Sequence, residues 1–388
     1  MVEYDVIIIG AGSVGVPTAL AGANDGLRIL VLDLLPSVAQ GDNKHAIGGI
    51  RATHSHIGKA LLCQRSIEIF STWEEKYGDD IWWHQGGYTF LAFTEEDEKM
   101  LKDTVKLQKK NGLNINFVDT EKIKEIIPGI NDDGLLGGTY SPEDGNASPL
   151  LSLHAFFRQS KELGAEYHFN EKVNNIIIKK DKIRGVKTTK SKYKTNFVIN
   201  AAGAHAKHIG AMVGVNFPVD PESHEAGITE PVKKFFSPMV VDVRPFVDEK
   251  FGGSKNYYFY QNDEGKILFC LTPNPNIFGI DRRETSSFLP QISKRMVKLL
   301  PRLRNLKIRR TWRGLYPMTV DGNPIVGKID EVDGYINAIG MCGQGFMLGP
   351  GLGELIGRLL NQKLNSQDHE ILKSLSYKRE YFKEEVLK

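Results

Sequence analysis

The apolar positions at the start of the chain come in short runs without polar relief. Asp5-Val6-Ile7-Ile8-Ile9 is β-branched, the pattern of a strand buried on both faces of a parallel sheet. Gly10-Ala11-Gly12-Ser13-Val14-Gly15 follows, then a helical stretch to about Ala23 and a second apolar run, Ile29-Leu30-Val31-Leu32, that ends at Asp33. No basic segment precedes the first run, and Glu3 and Asp5 stand before it, so it does not read as a signal peptide. Nowhere does an unbroken apolar stretch approach the ~20 residues of a membrane span.

Farther along, Gly58–Tyr77 places Phe70, Trp73 and Tyr77 on one helical face. A strand over Gly87–Phe93, a charged helix over Glu95–Asn111, a short helix near 120–127 and a strand near 135–141 come next. Pro149–Leu163 predicts a helix, Val173–Lys179 and Ile183–Thr188 strands, and Phe197–Asn200 a buried strand. From about Asn216 to Leu306 the chain is aromatic and β-rich. Tyr257–Gln261 and Lys266–Leu271 form a hairpin around Asp263-Glu264-Gly265, and Thr285–Leu300 a helix. Leu306–Asp330 reads as strand, turn, strand. Tyr335–Ile339 is a strand, 340–350 a glycine-rich loop, and a helix runs from about Gly351 to Leu360. The last twenty-odd residues are charged.

Composition narrows the class. With 25% charged and 41% hydrophobic residues, the 388-residue chain folds around cores rather than staying disordered, and its length suggests about two domains. Fifty basic against 47 acidic residues give a net charge of +3, so no global field draws it to nucleic acid or an anionic membrane. Cys63, Cys270 and Cys342 are too few and scattered for a disulfide framework or a metal cluster; they fit a reducing, cytoplasmic setting and no metal is expected. The 39 glycines exceed the usual ~7%, and many gather at 10–15, 48–49, 203 and 340–353.

Those glycines carry chemistry. In G-x-G-x-x-G, Gly10 makes the tight turn, Gly12 lets a pyrophosphate approach the backbone past Ser13 and Val14, and Gly15 lets helix and strand pack closely. Asp33, eighteen residues after Gly15, stands where a carboxylate takes a ribose hydroxyl and disfavours a 2′-phosphate. A dinucleotide, FAD or NAD, is therefore implied. The second strand–glycine loop–helix unit over 335–360 selects between them. A nicotinamide-binding domain does not call for it, whereas an isoalloxazine ring far from its pyrophosphate needs its own backbone contact.

With these segments in view, the chain resembles the FAD-dependent amino-acid oxidoreductases of the D-amino-acid oxidase superfamily, which includes sarcosine and dimethylglycine dehydrogenases, glycine oxidase and dye-linked L-proline dehydrogenase β subunits. The resemblance rests on the N-terminal motif, Asp144-Gly145, Val173, Val198–Ala204, Trp312–Gly327 and Gly340–Pro350. It implies a Rossmann-like α/β FAD-binding domain over 1–80, 150–215 and 307–365, interrupted by an α+β substrate domain with a large mixed sheet over 81–149 and 216–306, with 366–388 as a charged tail. It also implies FAD contacts at Ala46, Gly48, Gly49, Val173, Ala202, Gly203, Gly314, Gly343, Gln344, Gly345, Phe346 and Met347.

By the same resemblance Arg51, after Gly48-Gly49-Ile50, is the substrate carboxylate clamp; a structural ion pair is the alternative. His45 lies in a loop where relatives bond a histidine to the flavin 8α-methyl, and mere packing there stays open. The thiol attachment of other relatives is absent, because Gly314 occupies that position. Met347 stands where an oxidase of the family has lysine, and Ile267–Leu271 lacks the oxygen-activating lysine, which favours a dehydrogenase over an oxidase. Gln344 is expected to donate near the flavin. Tyr258, with Tyr260 on its face of the strand and Tyr257 on the other, is the candidate for the pocket wall; His84 and Tyr88 are weaker candidates. The leading activity is C–N oxidation of a small amino acid such as sarcosine, dimethylglycine, proline, glycine or a D-amino acid. The alternatives are oxidation of a 2-hydroxy acid or glycerol phosphate, and an FAD-bearing electron-relay subunit. The acceptor is unidentified, and a homo- or hetero-oligomer is compatible with the sequence.

Overall fold

A computed structural model describes residues 2–381 and residue 385. Two sheets organise the chain. The first has six strands in the order Ile325–Lys328, Tyr335–Ile339, Phe197–Asn200, Val6–Ile9, Ile29–Leu32 and Glu166–His168. All neighbours are parallel except the Ile325–Lys328 edge, which runs antiparallel. The two N-terminal apolar runs lie side by side in register, Val6 against Ile29, as the absence of polar relief requires for strands covered on both faces.

Each face of this sheet has its own core. Val6, Ile8, Ile29 and Val31 point to the helices Gly15–Asn24, Ile57–Tyr77, Pro149–Glu162 and Gly345–Leu360. Ile7, Ile9, Leu30 and Leu32 point to the three-stranded sheet 173–193 and the short helix Ala206–Ala211. The Gly345–Leu360 helix packs against the first helix without side chains between the backbones. A Cβ at Gly349 would lie 1.8 Å from the Ser13 carbonyl oxygen, and one at Gly353 would lie 2.6 Å from the Pro17 carbonyl carbon. Another at Gly351 would meet the Leu62 carbonyl oxygen at 2.2 Å, so this helix is wedged between two neighbours.

The second sheet has nine strands and is mixed, since Met239–Asp242 and Tyr88–Ala92 pair in parallel while the others pair antiparallel. One of its faces is sealed by the helix Phe288–Leu299 and an apolar core that includes Tyr257, Phe259 and Phe269. The other bears Tyr88, Phe90, Tyr258, Tyr260 and Cys270 and looks toward the first domain's loops. The hairpin 252–274 forms as the alternation predicts.

One segment corrects the expected division. Ile308–Thr319, assigned by sequence to the FAD-binding part, pairs along its length with Val219–Thr229 as the edge of the nine-stranded sheet. Its chain neighbours 325–339 return to the six-stranded sheet, so the crossover falls in the turn at 320–324. Within the expected tail, Ser366–Ser374 is a helix capped reciprocally by Asn365 and Asp368; residues 382–384 and 386–388 lie outside the described residues. Among the described residues no helix is long and apolar enough to cross a membrane.

Candidate active site

A cavity of about 1180 Å³ runs from the N-terminal glycine loop to the face of the large sheet, beyond the ~300–1,000 Å³ of ordinary ligand pockets. At one end Gly10, Gly12, Ser13, Val14 and Asp33 line it. Gly10 adopts φ +113, a conformation L side chains resist. A Cβ on Gly12 would meet nothing within 4 Å, so this loop presents open backbone to the cavity. Gly15 does not line it. A Cβ there would lie 1.9 Å from the Gly10 carbonyl oxygen, so its contribution is the close packing of helix on turn. Asp33 accepts from the N–H groups of Ala11 (2.7 Å) and Leu35 (2.8 Å), and burial raises its carboxyl above the ordinary range. Val173, Ala202 and Gly203 complete this end.

Midway, the loop with His45, Ala46, Gly48 and Gly49 lines the cavity, and Gly314 packs directly on His45. The His45 carbonyl accepts from Trp312 Nε1 at 2.8 Å. Its ring Nδ1 is buried with no hydrogen-bond partner among the described residues, and burial lowers its pKa, so the imidazole is neutral. The far end is built by Gly343, Gln344, Gly345, Phe346 and Met347 where the last long helix begins. Gln344 is buried and its Oε1 likewise lacks a partner.

Arg51 and Tyr258 meet at this end. Arg51 is 4% exposed; its Nη1 donates to the Thr53 carbonyl at 2.5 Å, and its guanidinium lies 5.3 Å from the Phe90 ring and 5.8 Å from the Tyr88 ring. Asp144 holds the backbone just beyond it, accepting from Ala52 N–H (2.8 Å), Thr53 Oγ1 (3.2 Å) and Ser141 Oγ (2.5 Å). Burial raises Asp144 to about 6. The Tyr258 hydroxyl bonds the Tyr316 hydroxyl, and burial keeps both phenols protonated. Tyr260 caps the Ile47 carbonyl, and Tyr257 belongs to the opposite core. Tyr88 lines the cavity, whereas His84 lies outside the lining, bound instead by Lys234.

These features fit FAD at the level of donors and shape. Open glycine backbone, a buried acid beside it, and unpartnered polar atoms on His45 and Gln344 trace one elongated path. Residues 5–359 match the DAO family, described as FAD dependent oxidoreductase. The chain belongs to this family. Among its relatives is the mitochondrial dimethylglycine dehydrogenase of Rattus norvegicus, 25% identical over 367 residues; the match covers 91% of this chain but 42% of that protein. The sarcosine oxidase subunit beta of Arthrobacter sp is 26% identical, with 97% of this chain and 91% of that one covered. Of solved structures, the L-proline dehydrogenase from P. horikoshii superposes with a TM-score of 0.88 at 31% identity, covering 97% of each chain.

For this FAD-dependent oxidoreductase the sequence reading missed one wall of the cavity. Glu222, His224 and Ala226 alternate on one face of Val219–Thr229 and line the cavity with Cys270, Thr272 and Tyr316. His224 stacks on Tyr316, with Thr272 Oγ1 3.4 Å from its Nδ1 and its Nε2 without a partner among the described residues. Burial first, then the charges of Lys255 and Arg313, lower its pKa to about 3. Period-two alternation was the available signal, but it cannot say which face meets a cavity.

Proposed function

We propose that the chain oxidises the C–N bond of a small amino acid, a secondary or tertiary amine such as sarcosine, dimethylglycine or proline, or else glycine or a D-amino acid. Its electrons pass to a carrier rather than to O2. The observation that carries the reading is the buried Arg51 lining the cavity, beside the stacked rings of Tyr88 and Phe90, in a cavity that phenols and a neutral imidazole also line. A guanidinium fork in that setting suits a carboxylate. The names of the relatives, which act on dimethylglycine, sarcosine and proline, support the same class.

When bound, the flavin supplies the hydride acceptor. The chain binds and orients. Arg51 takes the carboxylate, and Asp144 keeps the turn behind it in place. His224, neutral at any working pH, offers Nε2 to the substrate nitrogen without adding a cation that would oppose an amine. The Tyr258–Tyr316 pair presents phenol groups that stay protonated. Phe90, Val241, Ala226 and Met347 give the cavity its apolar share and restrict water around the reacting carbon. His45, with its unpartnered Nδ1 on the cavity, is suited either to bond the cofactor or to pack against it. The absence of lysine from Ile267–Leu271, and Met347 in the glycine loop, support the carrier over O2.

The test is anaerobic reduction of the FAD-loaded protein by a panel of amino and hydroxy acids, followed by the loss of flavin absorbance. Reduction by N-methylated or cyclic amino acids is expected. Reduction by hydroxy acids alone overturns the reading.

A further inference from the structure

The net charge of +3 conceals an uneven surface. Arg302, Arg304, Lys307, Arg309 and Arg310 put five cations into nine residues with no acid among them, and all five are exposed. They lead into and begin Ile308–Thr319, which is the terminal strand of the nine-stranded sheet. Toward its end this edge is covered, since Asp42 accepts from Leu315 N–H and the Pro317 carbonyl accepts from Cys342 N–H. At its beginning, over 308–313, it has no strand partner among the described residues.

A second loop adds to the same side. Arg313 Nη1 donates to the Arg283 carbonyl and Thr311 Oγ1 donates to Glu284, so the 281–285 loop lies along this strand. That loop brings Arg282 and Arg283, whereas Phe278 and Ile280 before them, 65% and 59% exposed, belong to the segment that pairs with the other edge of Val219–Thr229, Phe278 against Glu222. Of the local acids only Glu284, held by Thr311, has no cation beside it. Glu230 pairs with Arg309, Asp281 with Arg283 and Asp42 with Arg282. Arg304, Lys307 and Arg310 have no ion pair among the described residues.

We infer that this basic strand edge is the docking surface for an acidic electron-carrier protein. The inference rests on the reading that electrons leave by a carrier. Three observations favour that occupant. Open strand edges bind other polypeptides, and the run 302–313 has no exposed aromatic platform on which bases would stack. A second copy of this chain is disfavoured, because two-fold pairing of this edge would set its arginines against their own kind. The strand also leads directly to the cavity: Trp312 bonds the His45 carbonyl, and Gly314 packs on His45. Oxidation of a CH–NH unit to C=N releases two electrons and two protons, and oxidation of a tertiary amine to its iminium ion releases two electrons and one proton. The protons go to water, and the electrons leave singly to two carrier molecules docked in succession.

The test uses the FAD-loaded protein, an acidic Rieske-type [2Fe–2S] ferredoxin as probe, because plant-type clusters are too reducing to accept electrons from an amine, and the charge-reversal variant R304E/K307E/R310E, whose residues lie outside the cavity. Binding is read directly by titration and turnover is read twice, with a small phenolindophenol dye and with the ferredoxin. The wild type is expected to bind the ferredoxin and to lose affinity steeply as salt rises. The variant is expected to keep its dye rate while its ferredoxin affinity and rate fall at least tenfold. No ferredoxin binding by the wild type, equal binding by the variant, or capture of single-stranded DNA or phosphatidylserine vesicles in its place overturns the proposal. A wild type inactive toward amines even with dye overturns the functional reading instead, and the binding titration still decides the surface.

Discussion

His224 and Tyr316 lie face to face in the cavity lining, ring centroids 3.7 Å apart and planes 18° apart. The stack, with Thr272 at Nδ1, fixes the imidazole while leaving Nε2 to the cavity. Replacing His224 by Leu removes a hydrogen-bonding group worth about 1–3 kcal/mol when buried. The rate of flavin reduction by substrate is therefore expected to drop roughly 5- to 150-fold by the same arithmetic. Stopped-flow reduction at saturating substrate measures it, and an unchanged rate would remove His224 from the site.

The same imidazole ties stability to pH. Its pKa falls from the ordinary 6.5 to about 3 on folding, mainly by burial. The unfolded chain therefore binds a proton that the folded one refuses. This contribution is complete above about pH 6.5 and is lost as pH falls toward 3. Urea titrations at pH 7.5 and 5 should show a smaller loss of stability on acidification for His224→Gln than for the wild type.

Asp144 titrates within the working range. Its buried carboxyl, raised from 3.8 to about 6, accepts from Ala52 and Thr53 directly behind Arg51. The ionised form grips both donors, so KM for the amino acid is expected to rise as pH falls through about 6. Asp144→Asn should abolish that step and raise KM at pH 8. For stability the sign is opposite: the raised pKa favours the folded state below about pH 4, and this advantage is lost as pH rises through 6. A KM profile identical in the two proteins would show that Asp144 does not act through Arg51.

Arg51→Lys replaces a two-armed fork by a single ammonium and removes the planar group lying near Phe90 and Tyr88. KM is expected to increase at least tenfold, with kcat falling less. Substrates lacking a carboxylate should be unaffected, and a comparable loss for them would refute the clamp.

A Cβ at position 314 would lie 2.8 Å from the His45 Cβ. Gly314→Ala must displace the His45 loop, and flavin content after purification is expected to fall. Acid precipitation of the wild type reports the attachment: a yellow pellet shows a bond through the protein, and His45→Ala should then release the colour. A colourless wild-type pellet leaves packing as the role of His45.

Local chemistry was readable from the sequence, and its relation to distant chain was not. Gly10–Gly15 and Asp33 declare themselves because turn, helix start and carboxylate occupy one short segment whose backbone demands are specific to residue type. The split of Tyr257 from Tyr258 and Tyr260 followed from strand alternation alone, and it is found. His224 was invisible because its strand is eleven residues long with polar groups on both faces, and only the partner strand decides which looks inward. The sheet that Ile308–Thr319 joins was not legible for a related reason: its register is set by a strand some ninety residues earlier. The grip of Glu385 on Ser55 and Lys59 depends on contacts more than three hundred residues apart, which no local pattern encodes.

The bare backbone contact between the helices Gly15–Asn24 and Gly345–Leu360 has a consequence in time. During synthesis the glycine turn and first helix emerge more than three hundred residues before the helix that they fit against. At ~5–20 residues per second that wait is on the order of 15–60 s. The glycine turn thus stays without its counterpart until Gly345–Leu360 has been translated. Cofactor capture that needs both elements becomes a late event, set by the arrival of that helix rather than by the glycine turn.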